Sequence, residues 1–463
     1  MPLIRPTPAA VLAALALVTA GCGGGAGGGA GPSGGVATPA SHALGGTVAG
    51  LAGTGLVLQN NAGDDLPVAA DGTFTFATLL NEGGAYAVTV KAQPRLPVQT
   101  CSVTGGSGTV AQAAVTSVRV ACASPAARAL YVANAGSQSV AAFTIDAATG
   151  ALTPLGAAPV AAGRDPAGVA LDPAGRFAYV ANAGDGTVSG YAVQAGSLAL
   201  SPLAPAAAAT TPAPQGLVVT PDGRRAYVGD AFAGSLAGHA LDASTGAFTP
   251  LAGSPFNAGS RPAALAVSPS GAWLLAANAG SGNVSVFAVD PASGRLSAAA
   301  GSPFAAGAAP SAVVVEPGER FAYVANRQSA TVSAFRFDGA TGGLVPVTGA
   351  PSVPTGQGPA GIAAEPRGRF LYVANAGTHN VSAYRLDAVT GALTEITGSP
   401  FGAGLSPHSV RIDPAGRFAF VTNAASNTVS VFALDATTGA LSPVPGSPFG
   451  AGNSPAGLAV LAR

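Results

Sequence analysis

Charge is scarce in this chain. Lys and Arg number 20 and Asp and Glu 20 in 463 residues, against roughly one residue in four for an average domain. The two signs cancel, which leaves no basic footprint for nucleic acid and no electrostatic pull toward anionic lipid. The surface must be built largely from Ser, Thr, Asn, Ala, Gly and Pro. Long apolar runs are missing after the N-terminus, so no spanning helix is expected. Helical periodicity is missing too. There is no Asp-x-Asp-x-Asp-Gly calcium loop, no Gly-x-Ser-x-Gly elbow and no dinucleotide fingerprint. The histidines come without a third ligand at fixed spacing. Neither a metal nor a cofactor is expected.

What is present is a repeat. Tyr-Val-Ala-Asn appears at Tyr131–Asn134 and returns, with variation, so that its last position falls at 134, 182, 230, 278, 326, 375 and 423. The intervals are 48, 48, 48, 48, 49 and 48 residues, the mark of a repeat architecture. In the unit around Tyr323, Ala312–Val315 reads as a strand. Glu316-Pro317-Gly318-Glu319-Arg320 reads as a tight turn, with Pro presetting φ and Gly taking positive φ. Phe321–Asn326 and Thr331–Phe337 are two further strands, and Gly343–Val347 a weaker outer one. Four short strands in each of seven units predict a seven-bladed β-propeller of four-stranded blades, an all-β fold. Residues 454–461 are an unpartnered copy of the first strand, and the copy at 129–134 has none before it. The last strand should therefore complete the first blade.

Before the repeat lies a different organisation. Arg5, the apolar run Ala9–Val18 and Thr19-Ala20-Gly21-Cys22 read as an export signal over residues 1–22. The Ala-Gly-Cys ending resembles a bacterial lipobox, which implies Cys22 as the acylated first residue. Residues 23–41 are a Gly-rich tether. Residues 42–123 lack the repeat and alternate short strands with turns, which predicts a small immunoglobulin-like β-sandwich. Its beginning, from Gly46 to Asn61, resembles a module of bacterial surface lipoproteins. With Cys22 lipidated, Cys101 and Cys122 remain as a disulfide pair in an oxidising compartment, worth about 3 kcal/mol by loop entropy. The expected location is outside the cytoplasm, lipid-anchored to the outer membrane or cell surface, with a periplasmic or secreted form as the alternative.

Residues common to every copy build the ring, and departures from the repeat are candidates for chemistry. Asp146, Asp242, Asp290, Asp338, Asp387 and Asp435 each precede a Gly by four and read as turn formers. With the four strands of each blade labelled A to D from the channel outward, the departures on the face carrying the B–C and D–A loops are Arg327, His379 and His408, on consecutive blades, with Arg164, Asp185 and Arg261 nearby. His239 fills a strand-C slot that elsewhere holds Phe or Tyr and reads as core.

The motif set over residues 124–463 (Asp-Pro-x-Gly-Arg, Phe-x-Tyr-Val-x-Asn, x-Val-Ser-x-Phe and Thr-Gly-x-Leu) resembles the lactonase-like seven-bladed propeller family, which includes 6-phosphogluconolactonase. The resemblance implies an Arg directly after a strand-B motif, matched by Arg327, and a His near the start of a strand A, echoed by His408. A Glu after another strand-B motif has no counterpart, since Ala231 follows Asp230. The uniform blades, the export signal and the extra domain favour a monomeric binding or scaffold module for a small anion or a surface protein. The alternative is a lactone hydrolase with Arg327, His379 and His408 as its catalytic set.

Overall fold

The computed structural model describes residues 39–156 and 158–462. The export signal, Cys22 and nearly all of the tether lie outside the described residues. Among the described residues every regular element is a strand.

Residues 41–123 form two four-stranded sheets and one two-residue strand pair. One sheet runs Gly72–Thr75, Leu44–Ala49, Val115–Ala123, Thr100–Thr104. The other runs Asp64–Val68, Leu56–Asn60, Ala85–Ala92, Ser107–Thr109. Both contribute to one apolar cluster that includes Leu44, Leu58, Val88, Val118 and Val120. Cys101 and Cys122 face each other across neighbouring strands and form a disulfide with Cα atoms 4.0 Å apart. Leu44–Ala49 pairs with Val115–Ala123 in parallel, a long-range pairing that no hairpin signal announces.

Residues 127–462 form seven sheets, each with the strand order A-B-C-D from the axis outward. Each strand A touches the next, and Pro407–Ile412 touches Pro455–Ala462, so the ring is closed. Blade 5 is representative: A is Pro310–Val315, B is Phe321–Asn326, C is Thr331–Phe337 and D is Leu344–Pro346. Strand B is buried at every position because neighbouring blades cover both its faces, which is why it reads as an unbroken apolar run. Blade 1 takes its strand A from Pro455–Ala462, which pairs antiparallel with Ala127–Asn134.

Tyr in strand B ties blade to blade. Tyr179, Tyr227, Tyr323 and Tyr372 donate their hydroxyls at 2.6–3.1 Å to the carbonyls of Gly246, Gly294, Gly391 and Gly439, each in the C–D turn of the following blade. Blade 4 has Leu275 in this slot, and the indole of Trp273 donates to Gly339 instead, at 2.8 Å. The turn aspartates accept backbone N–H groups two and three residues on, as Asp146 does from Ala148 and Thr149, while the following Gly takes positive φ.

Two local readings are corrected. In blade 5 the positive-φ position of the A–B turn is Glu319, with φ 55°, and not Gly318. The turn register is set by the Glu319 N–H donating to the Glu316 carbonyl at 2.9 Å, and the Glu319 carboxylate accepts the N–H of Ser270 from the neighbouring blade. Strand D is also broken in six blades, with a second short piece such as Ser352–Pro354 returning to strand C. Where strand D leaves, a serine hydroxyl takes over. Ser254, Ser302, Ser399 and Ser447 accept the strand-C N–H groups of Gly238, Val286, Ala383 and Val431 at 2.9–3.0 Å. The recurring Gly-Ser-Pro-Phe is thus a device for satisfying a buried donor.

Candidate functional site

Every strand A starts with a proline opposite the last residue of strand B. In blade 5 this pair is Pro310 and Asn326. The asparagine at that corner holds three segments together. Asn326 Oδ1 accepts the Gly307 N–H at 3.1 Å, and its Nδ2 donates to Thr331 Oγ1 at 3.2 Å and Ser333 Oγ at 2.9 Å. The next residue, Arg327, anchors its own N–H on the Ala309 carbonyl at 2.8 Å. A rigid corner thereby delivers the guanidinium to the mouth of the axial channel.

In six of the seven blades the residue after the proline lines the channel. The slot holds Ala167, Gln215, Ala263, Ser311, Ala360 and His408 in blades 2 to 7. His408 is therefore the second residue of strand A, Pro407–Ile412, and not a residue of the loop before it. A cavity of about 500 Å³ opens here, lined by Arg261, Arg327, Gln215, Gln328, Ser311 and His408 among others. No Asp or Glu lines it. Neither Arg261 nor Arg327 has an ion-pair partner among the described residues. The mouth is consequently a cationic concavity without internal counter-charge.

His408 is exposed to the channel and faces its walls. Desolvation by those walls, and then the nearby Arg327 cation, push its pKa below the ordinary value, while a hydrogen bond to the Ala456 backbone opposes them. Thr422 fixes that backbone, donating its hydroxyl to the Ala456 carbonyl at 2.7 Å and accepting the Ser409 N–H at 3.1 Å. The six sister slots of Thr422 hold Ala or Gly. Ser311 is not poised as a nucleophile: its hydroxyl donates to the Pro359 carbonyl at 2.6 Å.

The structure brings Arg327 and His408 together at one cavity and sets His379 apart. His379 sits at φ 59° in the B–C loop, a slot held by Gly186, Gly234, Gly282 and Asn427 in other blades. Its Nδ1 accepts the Ser406 N–H at 3.1 Å, as Asn427 Oδ1 accepts that of Ser454 at 2.8 Å. It acts as a loop brace. Arg164 is also engaged elsewhere, paired with Asp185 at 2.6 Å. Among the described residues no group of three or more His, Cys, Asp or Glu converges as a metal site.

The fold recurs in solved structures. A Bacteroides fragilis protein assigned as a 6-phosphogluconolactonase is 22% identical, with 73% of this chain and 98% of that one covered at a TM-score of 0.63. A Bacteroides uniformis protein with the same assignment is 19% identical over 72% and 99%, at 0.62. The periplasmic gluconolactonase PpgL of Pseudomonas aeruginosa is 23% identical over 72% and 99%, at 0.61. No curated protein matches the chain. The sequence model of the family described as lactonase, 7-bladed β-propeller, matches residues 84–303 and 296–453. With seven closed blades and that match over most of its length, the chain belongs to the lactonase family of seven-bladed β-propellers.

Proposed function

We propose that this protein is a lactone hydrolase whose active site is the cationic channel mouth. The observation that carries the reading is the convergence of Arg261, Arg327 and His408 on one cavity of about 500 Å³ that no carboxylate lines. Family membership supports the hydrolase over the binding or scaffold module.

In this reading His408 removes a proton from water, and the hydroxide adds to the lactone carbonyl. The Arg327 guanidinium faces the oxygen that becomes negative, where a preplaced cation is most effective. The ring C–O bond then breaks, and the proton passes from the imidazolium to the ring oxygen. The product is a hydroxy acid whose carboxylate suits a guanidinium fork. The lowered pKa keeps His408 in its neutral, proton-accepting form at pH 7. His379 has no part in this scheme.

A pH-stat assay over unphosphorylated and phosphorylated sugar lactones tests the proposal. His408→Ala should lose roughly 10²–10⁴-fold in kcat/KM. The acid limb of the wild-type pH–rate profile should lie below pH 6.5, the ordinary imidazole value. Arg327→Ala removes a neighbouring cation, so the His408 pKa rises and the limb should move to higher pH. Wild-type protein that binds organic anions but opens no lactone would restore the binding reading.

Export with a lipid anchor at Cys22 belongs to the same proposal, supported by the Cys101–Cys122 disulfide. Labelled palmitate should enter the wild type and not Cys22→Ser. Label in neither protein would leave a periplasmic or secreted enzyme.

A further inference from the structure

Below the mouth the channel narrows and then widens toward the opposite face, and one charge stands inside it. Three residues beyond His408 on the same strand, about 10 Å further down the axis, comes Arg411. It lies opposite Phe420 of strand B. The equivalent slots of the other blades hold Ala170, Val218, Ala266, Val314, Ala363 and Ala459. The fold therefore closes without a cation at this level.

Arg411 borders both the waist of the channel and the lower cavity of about 420 Å³. Leu171, Val219, Val267, Ile412 and Val460 supply apolar wall there, and Arg411 is the one formal charge in the lining. Its guanidinium makes a hydrogen bond from Nη1 to the Val410 carbonyl at 3.0 Å. It has no ion-pair partner among the described residues. Its side chain is exposed to the channel lumen, and desolvation by the surrounding walls lowers its pKa. A cation that faces the lumen without a protein counter-charge is free to pair with an anion that enters the channel.

We propose that the lower half of the channel binds an amphipathic organic monoanion, a carboxylate on an apolar body, with Arg411 gripping the carboxylate. The ligand supplies what each part of the cavity lacks. Two carboxylate oxygens match the guanidinium fork, and an aliphatic or single-ring body covers the Val, Leu and Ile surface. Apolar walls with one well-placed polar group, in a volume of this order, are the usual make-up of a small-molecule site. An inorganic anion would satisfy the charge and leave the walls wet, and an alcohol would do the reverse. The site is separate from the channel mouth and does not rest on the lactonase reading.

Calorimetric titration of the purified full chain at low salt decides the matter, with octanoate, octanol and inorganic phosphate as probes. Octanoate should bind about tenfold or more tightly than either of the others. Arg411→Met keeps the apolar volume and removes the charge. It should melt close to the wild-type temperature and lose octanoate affinity by at least about tenfold, whereas Arg327→Ala should retain it. Four outcomes would overturn the proposal: no octanoate binding by wild type at millimolar concentration, equal binding by Arg411→Met, phosphate binding as tight as octanoate, or loss of binding in Arg327→Ala alone.

Discussion

His239 is a histidine placed where its sister blades keep a benzene or phenol ring. It is 3% exposed, packs edge-on against Phe248 with ring centroids 5.3 Å apart, and leaves Nδ1 without a hydrogen-bond partner. Phe248 in turn replaces the Leu that opens strand D in the other blades, so a smaller and a larger side chain are exchanged within one blade. Burial lowers the His239 pKa to about 4, below the unfolded value near 6.5. Above pH 6.5 both states are neutral and stability is unaffected. Below it the unfolded chain takes up a proton that the folded chain refuses, so stability declines as pH falls from about 6.5 to about 4, by up to about 3 kcal/mol. The double substitution His239→Phe with Phe248→Leu restores the pattern of the other blades. Its Tm should fall less than that of the wild type between pH 7 and pH 5. Parallel Tm curves for the two proteins would show that His239 is not buried in its neutral form.

At the scale of the element, the C–D turn shows what a single repeat can and cannot disclose. Asp338 and Gly342 lie within one turn, and their pairing of carboxylate and positive φ, here 73°, was readable from the local spacing. The reason Gly342 admits no side chain was not. A Cβ there would stand 2.2 Å from Trp273 Cζ3, a residue of the neighbouring blade. Gly342→Ala should therefore cost about 2–4 kcal/mol, from the backbone conformation and the overlap together. A chemical-denaturation midpoint equal to that of the wild type would contradict the inter-blade contact. Similarly, Glu316 and Glu365 are 1% exposed under the A–B turns, each beside an arginine four residues on. The Pro and Gly of those turns hid this carboxylate role. Arg327 could be picked out because it directly follows a strand-B motif. Arg411 and Thr422 emerge only when every slot is compared across all blades, since each departs from Ala or another small residue inside an otherwise regular strand.

At the scale of the molecule, the ring was predictable from the period and from the orphan strand at residues 454–461. The structure makes that strand the innermost member of blade 1, pairing Leu461 with Ala129 and Pro455 with Asn134. Removing residues 455–463 would strip Leu458 and Leu461 from two core clusters and bare a strand edge beside the channel. The truncated protein should aggregate or melt well below the wild type in a light-scattering thermal ramp. A truncation that stays monomeric with an unchanged Tm would refute closure by this strand.

The same pairing sets a clock on biogenesis. Asn134 is translated 321 residues before its partner Pro455. At the usual ~5–20 residues per second of synthesis, the inner edge of blade 1 waits roughly 15–65 s for the strand that will cover it. Six blades can be stacked during that interval while the ring stays open, so the nascent chain carries an unpaired edge through about two-thirds of its production. A chaperone that engages this protein has its longest opportunity at the seam between blades 7 and 1.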